Sequence, residues 1–310
     1  MNEQTQAGES TEPSGVLVVN KHSGATSHDI VNKIRRLYGT RRVGHTGTLD
    51  PMATGVLVIL VGRAAKAAEF LVCDVKHYTA RLRLGMTTDS EDTTGNVLTR
   101  SDRIPAFAEL EAVLPAFRGK IQQIPPMYSA LKINGQKLVD LARRGQTVER
   151  QPREIEIFSL SAAPTEIVND FQLEVCCSSG TYIRTLCADI GATLGCGGVM
   201  AALERTGTGG FFIGEATSIA ELESMDTGER IARLIPTESL FRTLQEIRLP
   251  AFFERLCRGG CEIYLQKLGL SLPVDTRVRL CSEDGKFFAV GEVGDYEEGA
   301  AVKSIKTFVL

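Results

Sequence analysis

Hydrophobic and polar positions along the chain change period several times. Residues 15–21, GVLVVNK, form a short apolar run ending at a lysine and predict a strand. Ser23-Gly24-Ala25-Thr26-Ser27 is turn chemistry with a capping serine, leading into a basic helix over 28–38 that Gly39 closes. Residues 55–61 are apolar without interruption and predict a buried strand, followed by a helix over 63–71. Residues 78–84 alternate Tyr, Ala, Leu and Leu with Thr, Arg and Arg, the period of a half-exposed strand. An amphipathic helix is expected over 107–119, a break at Pro125-Pro126, and a second helix over 135–144. Strands return at 153–161 and 170–177, then a helix over 183–194 ends at Gly195. Near 245 the texture changes. A short helix over 251–258 precedes two strand-like segments, 278–281 and 287–290, around the hairpin signal Asp284-Gly285, and 303–310 reads as a closing strand.

A chain of 310 residues accommodates one large domain and one small one. With 43% hydrophobic and 24% charged residues it belongs with ordinary globular chains. No apolar run approaches the roughly 18 residues of a membrane helix. Residues 1–14 hold three glutamates and no base, so they read as a disordered tail and not as a signal peptide. Eight scattered cysteines lack any CxxC pair, and Cys257 and Cys261 have no second ligand pair nearby. Reduced thiols in a cytoplasmic protein are expected, with no structural metal. The net charge of −3 argues against a simple nucleic-acid binder, but its distribution reverses that reading. Residues 115–153 carry eight basic side chains against Asp140 and Glu149, a local excess of six, and 32–43 add five more bases without an acid. Such concentration steers a polyanion to one face, although a solvated helix face explains a charge run equally well.

The densest chemistry lies in 44–57, GHTGTLDPMATGVL, where three glycines and three threonines surround one histidine and one carboxylate. Glycine permits close backbone approach and threonine supplies short hydroxyls, leaving Asp50 as the sole acid at the mouth of a buried strand. An Asp-Pro pair also suits the N-cap and first position of a helix. The spacing of Gly39 and Gly44 fits a P-loop, but His45 stands where that loop needs its lysine.

These fourteen residues resemble, almost letter for letter, the catalytic motif of the TruB family of tRNA pseudouridine synthases. Cys177-Ser178-Ser179-Gly180-Thr181-Tyr182-Ile183-Arg184-Thr185 is very similar to a second motif of that family. Arg184 beside Asp50 would keep the carboxylate charged and aim it through a planar fork, with Tyr182 on the same side if the segment is extended. The alternative for Arg184 is a surface arginine near a helix start, where a positive charge gains nothing from the dipole. Lys76-His77-Tyr78 resembles the family's strand tyrosine, which stacks on the target base, whereas a tyrosine opening an alternating strand is otherwise core packing. Lys21 matches the family's first motif, with Asn20 and His22 replacing an acid and a proline, and is expected to support the site. The resemblance places His45 near an extruded base, Lys66 near RNA and Leu203 in a uracil pocket. It makes 120–153 a basic thumb insertion whose Lys132, Arg143 and Arg144 meet RNA backbone.

The resemblance implies an α+β pseudouridine-synthase fold: a central mixed, largely antiparallel sheet flanked by helices and loops, plus a small C-terminal β-rich PUA-like domain. The expected division is a tail over 1–14, a catalytic domain over 15–245 and an RNA-binding domain over 246–310. The implied reaction converts uridine to pseudouridine at position 55 in the TΨC loop of tRNA, with base flipping, Asp50 as nucleophile, and no metal or organic cofactor. The enzyme would act on the T arm as a monomer, without guide RNA or an obligate protein partner. A non-catalytic RNA-binding protein on the same scaffold predicts that Asp50→Asn leaves function intact. A small-molecule hydrolase has no use for a basic insertion and predicts binding without salt dependence.

Overall fold

The computed structural model describes residues 12–70, 75–133 and 135–308. Its centre is a ten-stranded mixed sheet. Eight strands follow the order Thr217–Ser218, Gly15–Lys21, Thr54–Val61, Gly198–Thr208, Val75–Leu84, Asp170–Ser178, Arg153–Pro164 and Gly119–Gln123. Val43–His45 adds to Thr54–Val61, and Phe211–Phe212 adds to Gly198–Thr208. Only the pairings of Gly15–Lys21 with Thr217–Ser218 and of Thr54–Val61 with Gly198–Thr208 are parallel, so the sheet is largely antiparallel as expected. A second, five-stranded sheet runs from Gln245–Leu249 through Arg277–Ser282, Phe287–Tyr296 and Gly299–Thr307 to Ile263–Tyr264.

The unbroken apolar run of Thr54–Val61 follows from burial on both faces. Leu57, Ile59 and Val61 join the main core beneath the helices Ser27–Leu37 and Ile183–Thr193. Val56, Val58 and Leu60 face the other way, into a core shared with Phe241, Phe287 and Phe308. Gly15–Lys21 divides likewise, Leu17 and Val19 on one face and Val16 and Val18 on the other. The C-terminal sheet therefore packs against Gly15–Lys21 and Thr54–Val61, the second of which the Asp50 loop enters.

Several local expectations need correction. Thr26, not Ser27, caps the first helix, its Oγ1 accepting from the Asp29 amide at 3.1 Å, because Ser27 is turned inward. Residues 62–70 form a run of 3-10 helix, and position 71 lies outside the described residues. The 107–119 helix stops at Val113. Pro115 has no amide for an α turn, so a 3-10 turn follows over Leu114–Phe117 before Gly119 enters a strand at φ +79°. The 135–144 helix shrinks to Leu138–Ala142 because Gln136–Lys137 pairs with Lys132–Ile133 across a turn. The thumb is likewise shorter at its root: Gly119–Gln123 belongs to the main sheet and pairs with Arg153–Ile157, so the segment leaving the sheet is 124–152. The closing strand is Gly299–Thr307, and positions 309–310 are outside the description. No described helix is long and apolar enough to cross a membrane.

Candidate active site

The loop over 46–53 carries Asp50 from the Val43–His45 strand into Thr54–Val61, and buried polar groups hold its backbone from below. Asp50 caps no helix, since a turn follows it, and Gly44 lies within a strand and not at a helix start. Ser27 Oγ donates to the Leu49 carbonyl at 3.1 Å and accepts from the Leu49 amide at 2.9 Å. Lys21 is fully buried, and its Nζ donates to the carbonyls of Ala25 at 2.7 Å, His22 at 3.0 Å and Pro51 at 3.1 Å. Burial pulls its pKa down to about 8, with the Asp50 charge partly opposing that shift. Arg205 is also buried, and it donates through Nε to Val56 O at 2.8 Å, Nη2 to Gly47 O at 3.0 Å and Nη1 to Thr48 O at 3.3 Å. At Gly55 (φ +95°) a Cβ would stand 2.3 Å from the Arg205 carbonyl, so the close strand approach requires glycine there.

Above this floor Asp50 meets Arg184. Arg184 Nε lies 3.0 Å from Asp50 Oδ2 and Nη2 lies 3.5 Å from Oδ1. The guanidinium is 7% exposed and the carboxylate 36%, so the pair opens toward solvent on the carboxylate side. Arg184 is the second residue of Ile183–Thr193, an end where the helix dipole disfavours a cation. Acceptors compensate: Nη2 donates to Tyr128 O at 2.8 Å, Nη1 donates to Ser90 O at 3.2 Å, and Asp92 Oδ2 stands 3.8 Å from Nη1. Asp92 is fixed in turn by Ser90 Oγ at 2.7 Å and by the Thr94 amide and hydroxyl at 2.9 and 2.6 Å.

Asp50, Tyr78, Tyr182, Arg184 and Leu203 converge on one cleft of about 350 Å³, whose thumb-side wall includes Tyr128, Ser129 and Val139. Tyr78 is 6% exposed, and burial raises its phenol pKa while nearby Arg205 opposes the shift. Its ring and Leu203 come from adjacent strands of the sheet, and Tyr182 is extended (φ −99°, ψ 109°) at the N-cap of the Arg184 helix. The arrangement offers one carboxylate, paired with a guanidinium, at the edge of a pocket with aromatic and apolar walls. That suits attack on a planar ring held between side chains.

The other candidates lie elsewhere. Lys21 supports the floor of the cleft. His45 stands on its paired strand outside the lining, and burial lowers its pKa. Lys66 is distant, in a basic groove with Arg41, Arg42 and Arg63, where its Nζ donates to Thr307 O at 3.3 Å. Lys132, Arg143 and Arg144 are exposed on the thumb. Sequence reasoning assigned no role to Asp92, Gln123 or Arg205. Arg205 lies two positions after Leu203 in the same strand. Asp92 sits in the dense turn run DSEDTTGN, which by itself reads as a loop. Among the described residues the one cluster of metal-type ligands is Glu238, Glu246 and Cys281, where Arg279 already pairs with both carboxylates.

Residues 35–183 match the family model described as TruB family pseudouridylate synthase (N terminal domain), and 184–245 match tRNA pseudouridylate synthase B C-terminal domain. The chain is 43% identical to a tRNA pseudouridine synthase B of Francisella tularensis subsp. novicida, over 90% of each chain. It is 41% identical to the tRNA pseudouridine synthase B of Clostridium kluyveri, over 95% of this chain and 99% of that one. Its fold resembles a protein in the crystal structure of a Cbf5-Nop10-Gar1 complex, with a TM-score of 0.72 at 23% identity over 95% of this chain and 85% of that one. With the family models matching contiguously from 35 to 245 and relatives above 40% identity along nearly the whole length, the chain belongs to the TruB family of pseudouridylate synthases.

Proposed function

We propose that this protein isomerises uridine to pseudouridine in the TΨC loop of tRNA, at position 55, with Asp50 as the nucleophile. The observation that carries the reading is the Asp50–Arg184 pair at the mouth of a cleft walled by Tyr78, Tyr182 and Leu203. The names of its relatives support tRNA as substrate. In the reaction the N1–C1′ bond breaks, the base turns, and C5 bonds to C1′. The C5 proton passes to solvent and N1 gains one, so no redox cofactor is required. Extruding the base costs roughly a few kcal/mol, which backbone contacts by the basic thumb offset without reading sequence. Tyr78 packs against the extruded ring, Arg184 pairs with Asp50 and orients it, and Lys21 and Arg205 fix the loop that presents it. His45 and Lys66 belong to the RNA-facing surface outside the cleft. The protein acts in the cytoplasm on the T arm as a monomer, without guide RNA.

The test is tritium release from tRNA carrying 5-³H-uridine, comparing wild type with Asp50→Asn. Release by wild type alone is expected. Release by both removes Asp50 from the mechanism, and release by neither, with tight tRNA binding retained, leaves an RNA-binding protein that does not catalyse.

A further inference from the structure

The thumb leaves the sheet at Gln123 and rejoins it at Arg153, residues that face each other in the ladder. No chemical step uses Gln123, yet it is 2% exposed and its amide is engaged across the molecule. Nε2 donates to the Tyr182 carbonyl at 3.0 Å, and Oε1 accepts from the Tyr182 amide at 2.8 Å. A primary amide offers a donor and an acceptor side by side, whereas a carboxylate cannot donate and a hydrocarbon does neither. The partner is well chosen for leverage. Tyr182 is the N-cap of Ile183–Thr193 and has no side-chain cap bond, so Gln123 fixes the backbone at that helix start.

Two residues on, Arg184 joins Asp50 to the thumb, through Nε to Asp50 at 3.0 Å and through Nη2 to Tyr128 O at 2.8 Å. Within the thumb, Arg150 on the returning limb donates to Pro125 O on the outgoing limb at 2.9 Å, so the two limbs are tied near the root. The 124–152 segment thus has two attachments to the same helix start. One is the Gln123 amide at its root, and the other is the Arg184 guanidinium farther along. A displacement of the root changes where Tyr128 O meets Arg184, and so changes how Arg184 meets Asp50.

We propose that Gln123 is a positioning residue: its paired hydrogen bonds with Tyr182 make the placement of the 124–152 segment and the alignment of Arg184 on Asp50 move as one. This rests on the RNA-isomerising reading of the cleft. Gln123→Met removes both bonds at similar side-chain length. Gln123→Glu keeps an acceptor for the Tyr182 amide and sets a carboxylate oxygen against the Tyr182 carbonyl.

In both variants the single-turnover rate of tritium release at saturating enzyme should fall by about tenfold or more, as misalignment of reacting groups does. The Kd for full-length tRNA transcript should stay within about twofold, because no phosphate contact is touched. Hydrogen exchange without RNA should quicken at 124–131 and at 182–186 together. Wild-type rates in both variants, or a rate loss matched by weaker binding, overturns the proposal. So does faster exchange confined to 124–131. If Gln123→Met does not fold, Gln123→Glu decides. A wild type that releases no tritium refutes the assigned reaction, and the exchange experiment then judges the coupling alone.

Discussion

Replacing Arg205 with methionine tests whether a buried cation holds the loop that presents Asp50. The side chain is 1% exposed and donates to three carbonyls, those of Gly47, Thr48 and Val56. Hydrogen bonds to a charged group contribute about 1.5–3 kcal/mol each, so the gross loss in Arg205→Met is about 4.5–9 kcal/mol. That sum is an upper bound, because three bonds to one group do not add in full, and removing one buried charged partner costs about 3–5 kcal/mol. Against a total stability of about 5–15 kcal/mol the variant still folds. The catalytic cost is separate. Gly47 and Thr48 lie just before Asp50, and a shift of about 1 Å in the loop costs on the order of 100-fold in rate. Arg205→Lys keeps the charge and loses the fork, so it should restore part of the stability and little of the rate. Urea unfolding, single-turnover tritium release and tRNA affinity on the same preparations separate these effects. A methionine variant that loses stability but keeps the wild-type turnover rate refutes the argument, as does one whose defect lies wholly in tRNA affinity.

Lys21 supplies a pH test. Its pKa of about 8 lies below the ordinary 10.5, so between those values the unfolded chain binds a proton that the folded chain has released, and stability rises with pH across that window. Lys21→Met should lose that rise, and equal pH slopes of stability in the two proteins would contradict the burial of Nζ among carbonyls. On the thumb, Arg143→Gln combined with Arg144→Gln should flatten the salt dependence of tRNA binding by up to about two units of log–log slope, and an unchanged slope means that these side chains touch no phosphate.

The parts of the site that are legible in the sequence are those whose chemistry is local. Asp50 stands out because glycine and threonine surround a lone acid at the mouth of an apolar strand, whereas the alternation around Tyr78 by itself reads as core packing and only the motif resemblance points to the site. The parts that are not legible act through backbone partners distant in the chain. Arg205 meets Gly47, Thr48 and Val56 across two strands, and Gln123 meets Tyr182 across the sheet. A carbonyl acceptor leaves no mark on residue identity, so nothing at either end of such a bond announces it. The helix expectations missed for a related reason. Periodicity extended 107–119 through Pro115, and 135–144 through residues that instead form a hairpin against Lys132–Ile133.

Three buried cations surround the Asp50 loop, and their partners divide them by role. Lys21 and Arg205 face backbone carbonyls, whose dipoles absorb much of their field, while Arg184 alone lies within an ion-pair distance of Asp50. Asp92, 3.8 Å from Nη1, takes part of the Arg184 charge as well. Under the proposed reaction, a guanidinium facing Asp50 alone would hold the carboxylate tightly and blunt its reactivity. Sharing the guanidinium among Asp50, Asp92 and the carbonyls of Ser90 and Tyr128 keeps Asp50 oriented while weakening the grip on its electron pairs. The same sharing explains why a cation is stable at the start of Ile183–Thr193, where the helix dipole opposes it: four acceptors stand against one unfavourable end. One guanidinium therefore serves orientation, charge balance and the link to the thumb at once.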